Sequence, residues 1–181
     1  MTDEVSKLQD LLDASFARAS GHLASIMTPE RRLAAERLMA ELPCPAVLNI
    51  ATVTARGEPR ISAVDGHFLR GHWYFTTDAD SPKARQLAAR PAISASYTPR
   101  DGYGVFCHGR AVALPADSDE YRMLAEHFAE VYGQSFEEFG VEILCARVDP
   151  DWMVGFAMTD EEMAAIEADR AQRAGRSSSR P

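Results

Sequence analysis

Between Pro59 and Leu87 the chain reads PRISAVDGHFLRGHWYFTTDADSPKARQL. Thr76 and Thr77 close an aromatic, β-branched run, and Ser81-Pro82-Lys83 opens a helical pattern a few residues later. Two strand-end hydroxyls, a serine, a lysine and the free amides of a helix start then fall within one short loop. That combination suits a phosphate ester, because anions are favoured where unpaired amides and a cation converge. Arg60, at the head of the preceding run, offers a second cation whose planar fork fits phosphate better than lysine does. The plain alternative is a strand end followed by a capped helix, since Ser-Pro is good capping chemistry without any ligand. Asp78 and Asp80 stand against an anion nearby unless they point away.

Other reactive side chains are scattered. His67, His72 and His108 fall on expected strands, but the His67–His72 spacing matches no metal-binding motif, and no metal site is expected. Cys107 sits mid-strand and reads as a small buried residue. No GxGxxG, Walker, GxSxG or HExxH pattern occurs, so dinucleotide-fold, NTPase, serine hydrolase and zinc protease readings fall away.

The elements that must position these groups follow from periodicity. Val5, Leu8, Leu12, Phe16 and Ala19 form one stripe of a helix over 4–20, with Gly21 as its stop. Thr28-Pro29-Glu30 predicts a second helix start, ended by Pro43 and Pro45. Strands are expected over 47–54, 59–65, 67–69, 72–77, 92–97, 103–114, 141–148 and 152–158, most joined by short turns. Helices are expected over 81–90, from Asp117 or Ser118 to Gly133, and over 160–173, with a disordered tail from Ala174. Close antiparallel neighbours favour a mainly β fold with flanking helices, and roughly six strands with tight turns favour a small closed barrel. The chain divides into an N-terminal helical extension over 1–27, a barrel domain over 28–158 and a C-terminal helix and tail over 159–181.

A formal net charge of −8 argues against a nucleic-acid or anionic-membrane binder. Three widely spaced cysteines without a CxxC pair imply a reducing compartment. With no bilayer-length apolar run and no signal-peptide core, the expectation is a cytoplasmic protein.

From about Pro29 to Phe156 the order of AVLNIATVTARGEPRISAV, WYFTTDADSPKARQLAARPAISASY and VFCHGRAVAL resembles the pyridoxamine 5′-phosphate oxidase-like, FMN-binding split-barrel family. The resemblance implies a homodimer, each subunit a six-stranded antiparallel split β-barrel, with the cofactor at the subunit interface. It implies that Arg60, Ile61, Ser62, Ala63 and Val64 run beside the flavin, that Phe75, Thr76 and Thr77 lie near its ribityl-phosphate, and that Ser81 and Lys83 bind the phosphate. FMN is the first cofactor implied, the deazaflavin F420 the alternative and haem a rarer one. The activity implied is a flavin-dependent oxidoreductase acting on a small molecule, with His67 and Tyr103 as candidate substrate contacts and no dedicated acid–base residue nominated. The rival is a non-catalytic flavin- or haem-binding barrel. Pro82 stands where the vitamin B6 oxidases carry a basic residue, Gly104 where they carry a glutamine, and the C-terminus is an acidic helix. Vitamin B6 oxidation is therefore not the expected reaction.

Overall fold

The computed structural model describes residues 3–177. Six antiparallel strands, β1 (Ala46–Val53), β2 (Pro59–Leu69), β3 (His72–Asp78), β4 (Ala92–Tyr97), β5 (Tyr103–Ala113) and β6 (Ile143–Ala157), close into a barrel in the order β1-β2-β3-β6-β5-β4. The helices are α1 (Asp3–Ala17), α2 (Gly21–Ile26), α3 (Ala35–Glu41), α4 (Pro82–Ala89), α5 (Asp119–Tyr132) and α6 (Asp160–Ser177). No described helix is long and apolar enough to cross a membrane.

Alternation sets the wall. In β1, Ala46, Leu48, Ile50 and Thr52 face inward and are buried, while the residues between them are partly or fully exposed. Leu48, Ile50, Phe68, Trp73, Phe75, Val105 and Met153 fill the interior. Each such side chain contributes about 1.5–3 kcal/mol on burial. A second cluster lies outside the wall, where Leu124 and Phe128 of α5 pack with Phe136 against Tyr74 and Cys145.

Several boundaries differ from the sequence reading. The first helix stops at Ala17, and Gly21 starts α2 rather than ending α1, because the Ser20 hydroxyl accepts the Leu23 amide as an N-cap. Thr28-Pro29 opens only a 3₁₀ turn over Pro29–Arg31. There the chain is drawn against β6, with the Leu33 amide donating to the Gly155 carbonyl at 2.9 Å, and α3 begins only at Ala35. β2 runs straight through Gly66, since its missing side chain lets Leu48 and Trp73 close over it. The expected strands 141–148 and 152–158 are one strand, β6, whose Pro150 is absorbed by a register shift at His108/Gly109. Gly109 permits this, because a Cβ there would meet the Asp149 carbonyl at 2.0 Å. Residues 174–177, expected to be disordered, continue α6; the rest of that tail lies outside the described residues.

The N-terminal helix belongs to the barrel's own packing. Leu8 and Leu12 join the main core. The Ser15 hydroxyl, fully buried, donates to the Leu11 carbonyl at 2.7 Å and accepts the Met153 amide of β6 at 3.0 Å.

Candidate functional site

β2 and β3 share a ladder only from Gly66↔Phe75 to Leu69↔His72. Before Gly66, β2 keeps β1 as its strand partner, from Val47↔Asp65 to Val53↔Pro59. Beyond Phe75, β3 keeps β6, from Thr76↔Cys145 to Asp78↔Ile143. The two strands therefore part at Gly66/Phe75. Alternate backbone N–H and C=O groups on 60–65 and 76–78 face the gap without a strand partner among the described residues.

The far end of the gap is built by the turn into α4. Ser81 is the N-cap, its hydroxyl accepting the Ala84 amide at 3.2 Å. The Thr77 hydroxyl lies 3.2 Å from that of Ser81, and Thr76 and Thr77 are half-buried. The Asp78 carboxylate accepts the Asp80 amide at 2.7 Å, so it is held in its own turn. Lys83 is half-buried and carries no ion pair or hydrogen bond among the described residues. Arg60 is exposed and donates to Glu58 at 2.9 Å. Arg60 stands opposite Thr52, whose hydroxyl donates to Gln86 Oε1 at 2.5 Å. Gln86 is one helical turn beyond Lys83, so one strand pair and one turn of α4 connect the two cations.

The remaining expected cofactor residues divide by face. Ser62 and Val64 are half-buried on the inward side, while Ala63 and Ile61, the latter 77% exposed, point outward. Phe75 is fully buried in the core, so only its main chain borders the gap. The two expected substrate contacts are both buried. Tyr103 packs in the core beside Tyr97, with the Arg100 guanidinium over its ring. His67 is fully buried beneath α5, and burial with its neighbour His127 pushes its pKa down to about 4.

Two polar groupings escaped the sequence reading. Cys44, His67 and His127 meet outside the barrel wall, brought together by segments far apart in the chain. A hint was available: His127 lies between Leu124 and Phe128 on the apolar side of α5. The second grouping borders a cavity of about 810 Å³ between α1, the β2–β3 turn, α5 and β6. Arg147 donates to both carboxylate oxygens of Glu120, at 2.7 and 2.6 Å, and to Asp149 at 2.5 and 3.0 Å; Tyr74 donates to Glu120 at 2.5 Å. Burial and the Glu120 bond hold the Tyr74 phenol well above its ordinary pKa. Arg147 is shared between two carboxylates, so this grouping offers no free cation to an anionic ligand. The cavity therefore suits a phosphate less well than the gap does.

The barrel parted between two strands defines the class. Residues 34–174 match the family described as pyridoxamine 5′-phosphate oxidase, and the chain belongs to that family, which binds flavins and includes oxidoreductases. A stretch of 66 residues is 39% identical to a pyridoxine/pyridoxamine 5′-phosphate oxidase of Alcanivorax borkumensis, covering 35% of this chain and 31% of the relative. The match thus spans about a third of that relative's length. The fold is similar to an FAD-binding protein of Mesorhizobium loti, with TM-score 0.56 and 19% identity over 71% of this chain and 97% of that one. It is also similar to HutZ, the haem storage protein of Vibrio cholerae, with TM-score 0.54 and 17% identity over 62% of this chain and 89% of that one.

Proposed function

We propose that this chain is an oxidoreductase that holds a flavin-type cofactor in the gap between β2 and β3, FMN first and F420 as the alternative, and acts on a small molecule. One observation carries the reading: the Thr77 and Ser81 hydroxyls meet at one end of the gap, the unpaired Lys83 stands on the first turn of α4 two residues on, and Arg60 is a strand pair and a helical turn away. These groups fit a phosphate ester. Hydroxyl donors and an ammonium both belong to the turn and first residues of α4, and a neighbouring carboxylate, Asp78, accepts the Asp80 amide.

The cofactor, when bound, supplies the hydride chemistry. The chain's own residues bind and orient. Lys83 and Arg60 neutralise the phosphate, with Arg60 exchanging its exposed partner Glu58. Thr76, Thr77 and Ser81 donate hydroxyl hydrogen bonds. The unpaired main-chain groups of Ile61, Ser62, Ala63 and Val64 offer donors and acceptors to the polar edge of a flat ring. Phe75 fixes the point where the strands part.

A second copy of the chain completes the reading as a homodimer. The outward face of β1 and β2 combines the exposed Val47 and Ile61 with Ala51 and Ala63, a flat apolar patch suited to burial. A subunit laid there closes the gap from outside and makes a pocket for substrate. A cytoplasmic setting belongs to the same reading, supported by free thiols at Cys44, Cys107 and Cys145.

Spectroscopic titration of the purified protein with FMN and with F420 tests this. Lys83→Ala and Arg60→Ala should each cost about 1.5–3 kcal/mol of binding, roughly tenfold or more in affinity. Unchanged affinity in the double variant refutes the anchor. A Soret band on haem addition, with neither flavin bound, refutes the cofactor class. Photoreduction of the complex followed by reoxidation with candidate acceptors separates an enzyme from a carrier.

A further inference from the structure

At the other end of β2, three side chains aim one atom each at a common point. Cys44 Sγ lies 3.3 Å from His67 Nδ1 and 3.2 Å from His127 Nε2, and the two ring nitrogens are 3.1 Å apart. Cys44 comes from the segment before β1, His67 from β2 and His127 from α5. The two imidazole planes are nearly perpendicular, at 87°.

Hydrogen bonding alone leaves this triangle incomplete. Tyr132 donates its hydroxyl proton to Asp65 Oδ2 at 2.9 Å, so towards His67 Nε2, 3.4 Å away, its oxygen acts as an acceptor. That contact keeps the neutral His67 proton on Nε2 and turns the Nδ1 lone pair into the triangle. Three contacts need three protons. The thiol supplies one and His127 Nε2 at most one, so at least one edge is left without a hydrogen bond. A cation at the centre engages all three atoms at once.

We propose that Cys44 Sγ, His67 Nδ1 and His127 Nε2 form a three-ligand site for a borderline-soft transition-metal ion of the Zn²⁺ class, with the fourth position open to solvent. Tetrahedral zinc bonds of about 2.0–2.1 Å to nitrogen and 2.3 Å to sulfur place neighbouring ligand atoms about 3.3–3.6 Å apart. The triangle therefore needs to open by only a few tenths of an ångström. One thiolate and two imidazoles select against Mg²⁺ and Ca²⁺, which take oxygen ligands. The Asp65–Tyr132–His67 chain is the outer support that orients a ligating histidine. Phe128 and Tyr132 shield the buried side, while Cys44 is exposed and leaves an entry path. Binding releases the Cys44 thiol proton to solvent and leaves the sulfur as thiolate. The bound ion would pin α5 to β2 and to the segment entering β1. None of the three ligands lies on the parted stretch of β2 and β3 that forms the gap, so the two proposals stand or fall separately.

The test is titration of chelator-treated, desalted protein with Co²⁺, followed by competition with Zn²⁺. The expected result is one Co²⁺ per chain, with visible d–d bands of a tetrahedral ion and a near-ultraviolet thiolate-to-metal band, all displaced by Zn²⁺. Cys44→Ser should abolish the thiolate band. Cys44→Ser and His127→Ala should each weaken Zn²⁺ binding by more than about 100-fold against a chromophoric chelator, and Tyr132→Phe by about 10–100-fold. Cys44 is exposed and His127 half-buried, so these variants should keep the wild-type circular dichroism, whereas replacing the fully buried His67 would not separate folding from binding. Absence of the thiolate band in the wild type, or unchanged Zn²⁺ affinity in both Cys44→Ser and His127→Ala, overturns the proposal.

Discussion

The two halves of β2 are one strand with opposite fates. From Pro59 to Asp65 it has a single strand neighbour, and Arg60, Ile61, Ala63 and Asp65 are exposed. From Gly66 to Phe68 it is buried, with β1 or β3 alongside and α5 laid over His67. The open half presents backbone groups to whatever enters the gap. The sealed half gathers imidazole, thiol and phenol around the buried His67 ring. Strand-forming residues alone do not choose between these fates; the covering element does. Polar side chains on the open half are available for binding, while those on the sealed half must satisfy one another or hold an ion.

Removing the seal should have the largest effect. Phe128 contacts Tyr132, Phe136, Phe139 and His67, with ring centroids 4.1 to 5.7 Å apart. Phe128→Ala should cost about 3–5 kcal/mol in denaturant unfolding, and raise hydrogen exchange at 66–69 towards that of 60–65. Moving the boundary should cost less. A Cβ on Gly66 would sit 2.6 Å from Leu48 Cβ, so Gly66→Ala should destabilise by about 1–3 kcal/mol and lengthen the open half. On the gap side, Ser81→Ala removes the N-cap of α4 and should cost about 1 kcal/mol without cofactor.

The smallest effect concerns pH and neither half directly. Burial raises the Glu120 pKa, but the hydrogen bonds from Tyr74 and Arg147 outweigh it and hold it below the ordinary 4.5. Between that folded value and 4.5 the unfolded chain binds more protons. The Glu120 contribution is therefore complete above pH 4.5 and lost as pH falls through the folded value. The unfolding midpoint of the wild type should drop further than that of Glu120→Gln when pH is lowered through this range. Parallel drops would show that the pairing with Arg147 adds nothing.

The strands and the turn into α4 were legible because their signals are local. Alternation gave β1, β3, β4 and β5 to within a residue or so. Ser-Pro-Lys gave the N-cap. What failed depended on distant partners. Nothing near Thr28 announces that Leu33 will bond to Gly155, and nothing around Pro150 shows that Gly109 makes room for it across β5. His67 read as a substrate contact because an alternating strand does not tell which of its faces a helix some sixty residues later will cover. Cys44 and His127 carried no motif, since their spacing reflects the barrel's closure and not a ligand-binding loop.

The hydroxyl of Ser15 has a consequence for how little of this protein can be dispensed with. Proteolytic trimming ahead of residue 18 would strip the Met153 main chain of its acceptor in a water-free place and uncover the floor on which Leu8 and Leu12 rest. Such a shortened product should precipitate instead of yielding a leaner barrel. α1 is, in effect, a stave that can be fitted only after β6 has been made.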